Sequence, residues 1–121
     1  MASIVEIVSY FNDAKQQAIV FHQQTTSFSE HKALNEFYDE IVDLLDDLSE
    51  SYAGINGRLT PYSVEDLQDW VSTEATIAYY KDCYLWLQSE RKSAPQDSWI
   101  QNQLDEIAQS VAQLLYRLSL K

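Results

Sequence analysis

Ile4, Ile7, Val8, Phe11, Ala14, Ala18 and Phe21 recur every three or four positions, the spacing of one buried helix face. They predict a helix over residues 3–25. A second run, Leu34, Phe37, Ile41, Leu44, Leu45, Leu48 and Tyr52, predicts a helix over 27–53. Ser27 and Glu30 open it at capping-box spacing, where serine and glutamate each satisfy an orphan backbone N–H. Gly54 offers a C-terminal stop. Leu67, Trp70, Val71, Ile77, Ala78, Tyr84, Leu85 and Leu87 predict a third helix over 63–91, opened by Ser63 with Asp66 three residues on. Between Tyr79 and Leu87 this stretch is apolar around much of its circumference, which implies contacts on two sides. Trp99, Ile100, Leu104, Ile107, Val111, Leu114, Leu115 and Leu118 predict a fourth helix over 96–120, capped by Asp97 or Ser98.

Only two glycines and two prolines interrupt the chain, too few for the many turns of a sandwich or barrel. The expected architecture is all-α: one four-helix bundle covering residues 1–121, with the first two helices and the last two as antiparallel hairpins. The connection near residues 54–62 leaves the topology open. Nine extended residues reach at most about 32 Å, which permits a crossover along the bundle as well as a simple up-down turn.

Nineteen Asp and Glu oppose eight Lys and Arg, for a formal net charge of −11. The positive residues are scattered, so the basic footprint that releases counterions from phosphate is missing. Direct nucleic-acid binding is not expected. The acidity suits solubility, cation binding or a basic protein partner. The single cysteine, Cys83, excludes an intramolecular disulfide and a thiolate-rich zinc site; its aromatic and apolar neighbours mark it as buried filler. No apolar run approaches a membrane span of about 20 residues, and the acidic, amphipathic start is unlike a signal peptide. A cytoplasmic location is the expectation.

The chemistry concentrates at the first helix junction. His22 and His31 are the only two histidines and bracket the turn between the first two helices. Asp46 and Glu50 follow at one-turn spacing. Two imidazoles and two carboxylates form a ligand set for a transition metal. His22 read alone is a partly buried histidine bonded to a backbone carbonyl or a tyrosine. His31 and Asp46 stand about 22 Å apart on one helix at 1.5 Å per residue, so one metal cannot touch both in a single chain. His31, Asn35, Val42, Asp46, Ser49 and Ala53 share a second face of that helix. If two copies pack antiparallel there about a two-fold axis, His31 of one meets Asp46 and Glu50 of the other. Self-association, at least to a dimer, is therefore expected, with Val42, Ser49 and Ala53 near the contact.

His22, His31, the run Asp46-Asp-Leu-Ser-Glu50 and Gly54 together resemble the Dps-type miniferritins of the ferritin-like superfamily. Small ferritin-like proteins of tailed phages look closer still, including the ending Leu114-Leu-Tyr-Arg-Leu118. The motif part of the resemblance covers about residues 18–54. Asn35 stands where that family usually has an acidic residue. The resemblance implies an iron site between subunits held by His22, His31, Asp46 and Glu50, oxidation of Fe(II), a hollow shell of subunits and, for a phage-encoded chain, the host cytoplasm.

A different class of function uses the same scaffold without a metal. Glu36, Asp39, Glu40, Asp43 and Asp47 supply a row of carboxylates on the second helix, suited to covering a basic surface of a host protein or mimicking nucleic acid. A hydrolase has little behind it: the chain has no Gly-rich phosphate loop, nucleophile elbow or zinc-protease motif.

Overall fold

Four helices account for the regular structure of the computed structural model, which describes residues 3–121: α1 (Ile4–Gln24), α2 (Phe28–Asn56), α3 (Thr73–Glu90) and α4 (Ser98–Leu118). No strand occurs among the described residues. α1 packs against α2 and α3, and α4 packs against the same two helices. Phe11, Leu34, Phe37, Ile41, Tyr80, Leu87, Leu104 and Ile107 fill the shared interior and are buried. Tyr80 enters the core because its hydroxyl finds a partner there, donating to the Ala14 carbonyl at 3.0 Å. A buried phenol without such a bond would leave a costly unsatisfied group. No described helix is long and apolar enough to cross a membrane.

The third helix departs from the sequence expectation. It starts at Thr73 behind the cap Ser72, which accepts from the Ala75 N–H, and not at Ser63. Residues 57–72 form an extended crossover instead. A row of α1 side chains holds it. Ser9 Oγ accepts from Ser63 N at 3.2 Å, Asp13 from Glu65 N at 3.1 Å, Gln17 from Gln68 N at 2.9 Å and Gln24 from Trp70 N at 2.7 Å. Gln17 also donates to the Gln68 carbonyl at 2.7 Å. Rising from Ser9 to Gln24 covers about 22 Å of α1. Residues 63–70 as a helix would cover about 10 Å, and extended they cover about 23 Å. Only the extended form reaches the far end, and the α1 side chains satisfy backbone groups that a helix would have satisfied internally. Leu67 and Val71 are consequently exposed rather than core residues, whereas Leu59 and Trp70 pack on the core edge.

The crossover settles the topology. α2 ends near the start of α1, and the connection returns to the end where α1 stops and α2 begins, so α3 runs parallel to α2. α4 then runs back, and Ser29 near the start of α2 meets the Leu120 carbonyl beyond its end. All packed neighbours are antiparallel. Gly54 lies inside α2, and the stop is Gly57 at φ +90°, a conformation glycine adopts without strain.

Cys83 is buried as expected. Burial pushes its thiol from 9.0 up to about 12, and burial likewise raises the phenols of Tyr10, Tyr79 and Tyr80. The unfolded chain would ionise these groups first, so it binds fewer protons than the folded state above about pH 9. Stability should therefore fall as pH rises from about 9 toward 12, with the loss read by chemical denaturation at stepped pH. At neutral pH a thiol-specific reagent should label Cys83 only after unfolding; rapid labelling of the native protein would contradict this burial.

Candidate metal centre

His22 lies in the last turn of α1 and His31 in the first turns of α2. The short turn brings their rings together as a stacked pair, centroids 3.7 Å apart and planes 16° from parallel. Each ring is anchored by the other residue's backbone. His22 Nδ1 donates to the His31 carbonyl at 2.7 Å, and His31 Nδ1 donates to the His22 carbonyl at 2.8 Å. A carbonyl only accepts, so both hydrogens sit on Nδ1. In the neutral rings Nε2 is then the nitrogen that carries the lone pair. The His22 carbonyl is one of the last four of α1, which lack a partner within the helix, so His31 also caps α1.

Other side chains hold the pair. Tyr38 meets the His22 ring edge-on at 5.4 Å, and its hydroxyl donates to Asn35 Oδ1 at 3.0 Å. Asn35 passes its amide hydrogen to Asp39 at 2.8 Å. The exposed Phe28 lies parallel to the His31 ring at 6.2 Å. A surface pocket of about 480 Å³ opens beside His31, lined by Phe28, Lys32, Asn35 and Glu36.

Asp46 and Glu50 lie far along α2, exposed to solvent, and neither makes a hydrogen bond or ion pair among the described residues. Within one chain, no group of three or more His, Cys, Asp or Glu side chains among the described residues is placed to hold a metal. The chain thus joins His22 with His31 and leaves Asp46 and Glu50 apart, as their spacing on one helix requires. Val42 is exposed, and Ser49 and Ala53 are half-buried on the same helix. Ser49 turns its hydroxyl back to the Leu45 carbonyl at 2.7 Å.

Of the capping box that Ser27 and Glu30 predict, half forms. Ser27 Oγ accepts from Glu30 N at 3.3 Å, but the carboxylate turns inward and is 1% exposed. It accepts from Thr25 Oγ1 at 3.0 Å, Thr73 Oγ1 at 2.5 Å, Trp70 Nε1 at 2.8 Å and Thr76 Oγ1 at 2.8 Å. The first turns of α2 and α3 both supply residues to it, and helix N-termini favour a negative charge. Ser27 N turns to Thr25 Oγ1 instead, at 3.1 Å. This node joins the His22–His31 turn, the crossover and α3. The signal in the sequence was the Thr73-x-x-Thr76 pair one turn apart, which lacked meaning until the crossover placed it beside Glu30.

A family described as of unknown function, DUF5856, matches residues 22–118, a span that includes both histidines and ends with α4. No curated protein and no solved structure matches the chain.

Proposed function

The chain belongs to the DUF5856 family of unknown function, and from its helix junction we propose that it binds a divalent transition metal, iron in a ferritin-like setting, between two copies. The observation that carries this reading is the reciprocal anchoring of the histidine pair. A histidine that ligates through Nε2 commonly donates its other ring N–H to a carbonyl or carboxylate, which fixes tautomer and orientation. Both histidines have that arrangement here. His22 and His31 would supply nitrogen ligands once their stacked rings, now 16° from parallel, swing apart so that one metal lies in both ring planes, and Asp46 and Glu50 of a second copy would supply anionic oxygens. Borderline and harder metals such as Zn(II) and Fe(II) suit such a mixed set. Bound iron would supply one-electron redox chemistry, and ferroxidase activity is the extension of this reading. What the chain's own residues do is orient two imidazoles and, in their neutral form, set the tautomer that leaves the Nε2 lone pair for a metal. The crossover topology, with α2 and α3 parallel, also suits a ferritin-like bundle.

Zn(II) or Fe(II) should raise the melting temperature of the wild type, because a ligand that prefers the folded dimer stabilises it by mass action. His31→Ala and Asp46→Ala should each abolish that rise, and mixing the two variants should restore part of it. In a mixed dimer one site carries both lesions and the other is intact. Asn35→Asp would set a second carboxylate beside Asp39, where an amide now donates at 2.8 Å. It should lower stability without metal and enlarge the stabilisation by metal. Sedimentation showing only a 14.0 kDa species at tens of micromolar, together with melting indifferent to metal, would end the reading.

The exposure of Glu36, Asp39, Glu40, Asp43 and Asp47 along α2 favours a second reading, a surface for a basic protein partner. Glu36 is already paired with Arg117 at 3.0 Å, and Asp39 with Asn35, which leaves three members of the row free of such contacts. Binding of a basic protein that survives His31→Ala and fails on neutralising Asp43 and Asp47 would select it.

A further inference from the structure

α2 and α4 pack against each other, and on the outer side of that contact their surfaces leave a groove of about 230 Å³. Glu40 and Leu44 border it from α2; Glu106, Gln109, Ser110 and Gln113 border it from α4. The α4 positions share one face, since residues three, four and seven apart lie along one side of a helix. All five polar side chains present oxygen atoms, and the lining holds no nitrogen base, thiolate or cationic side chain. None of the five makes a hydrogen bond or ion pair to another described residue, in a chain of net charge −11.

Ser110 is the informative member. It is 3% exposed, and its Oγ has no hydrogen-bond partner among the described residues. A buried helix serine usually bonds the carbonyl four residues back, and buried hydroxyls are rarely left unanswered because the group loses water without compensation. Ser110 lines the groove together with two carboxylate residues, Glu40 and Glu106.

We propose that this groove binds a hard divalent cation, calcium, through Glu40, Glu106 and the Ser110 hydroxyl, with the Gln109 and Gln113 carbonyl oxygens and water completing the shell. Calcium takes six to eight oxygen ligands in irregular geometry, whereas magnesium demands a near-ideal octahedron. A shallow, unsymmetrical set of carboxylate, amide and hydroxyl oxygens matches calcium. Two carboxylates neutralise its charge. Few anionic ligands and an open groove place the dissociation constant at roughly 10⁻⁴–10⁻³ M. The site shares no residue with the histidine junction and does not depend on the reading given for it.

The test is calorimetric titration of the full chain with calcium chloride at about 0.15 M ionic strength, where a Debye length of about 8 Å suppresses diffuse attraction to the acidic surface. One ion should bind per chain. Glu40→Gln and Glu106→Gln should each weaken binding about tenfold or more, since ligand charge sets affinity. His31→Ala should leave it unchanged. Ser110→Ala should melt no lower than wild type in chelator, yet gain less from calcium. Absence of heat and of a melting shift with millimolar calcium would overturn the proposal. So would binding indifferent to both Glu→Gln changes, or magnesium binding more tightly than calcium.

Discussion

Glu30→Ala should be the most damaging single truncation at the helix junction, lowering stability by about 3–5 kcal/mol, since it leaves buried donors unanswered at about 1–3 kcal/mol each and opens a cavity beside them. The carboxylate answers four donors from three parts of the chain: Thr25, Trp70, Thr73 and Thr76. Alanine would leave the Trp70 indole N–H and the buried Thr76 hydroxyl seeking partners around a cavity. Domains are stable by only about 5–15 kcal/mol in total, so the variant should populate unfolded chains at physiological temperature. Chemical denaturation measures the loss.

Glu30→Gln separates acceptor count from shape. The amide keeps the volume and one acceptor oxygen but aims hydrogens at donors that previously met an oxygen. Threonine hydroxyls can rotate and accept, whereas the indole N–H cannot. The expected loss is about 1–3 kcal/mol, smaller than for alanine. Equal losses would mean that volume, not hydrogen bonding, dominates at this site. A Glu30→Ala chain melting within a degree or two of wild type would remove the node from any account of the fold. Because Glu30 precedes His31, a loosened first turn of α2 should also separate the stacked histidine rings.

The periodicities of α1, α2 and α4 were legible because each buries one continuous face against neighbours, and burial is what places apolar residues every three or four positions. Gly54 misled because an isolated glycine inside a helix costs only about 1 kcal/mol, and a Cβ there would meet nothing within 4 Å. Gly57, at φ +90°, was the position with a conformational need. The crossover departs from its helical spacing for a different reason. Leu67, Trp70 and Val71 have helical spacing, but whether a segment climbs the bundle depends on where α2 ends relative to α1. Ser9, Asp13, Gln17 and Gln24 recur along one side of α1, and that polar stripe is the sign in the sequence of a backbone to be held. Gln17, 1% exposed, is polar in a core phase because Gln68 needs both its ends. At the candidate metal centre, the junction of His22 with His31 followed from the short turn. Their mutual bonds to each other's carbonyls depended on side-chain geometry that spacing does not encode. The proposed pairing of either histidine with Asp46 would be a property of two chains, which one chain cannot display.

Deleting three residues from 64–66 should be far more harmful than lengthening the same segment. Ser63 and Trp70 are held at α1 positions about 22 Å apart, and seven residue steps reach at most about 25 Å. Four steps reach about 14 Å. The shortened chain cannot keep both the Ser9–Ser63 and Gln24–Trp70 contacts, and it must pull Thr73 and Thr76 away from Glu30. α3 and α4 then cannot dock in register on α1 and α2 of their own chain. Loss of cooperative unfolding is expected, or exchange of the α3–α4 pair between two copies, for which a hinge under strain is the usual cause. Inserting two residues after Val64 should instead cost about 1 kcal/mol or less, since loop entropy grows slowly with length. Circular dichroism, thermal melting and light scattering on both variants decide the matter. A deletion variant that remains a helical monomer with wild-type melting would show that the crossover has slack, and that the α1 polar row does not set its path.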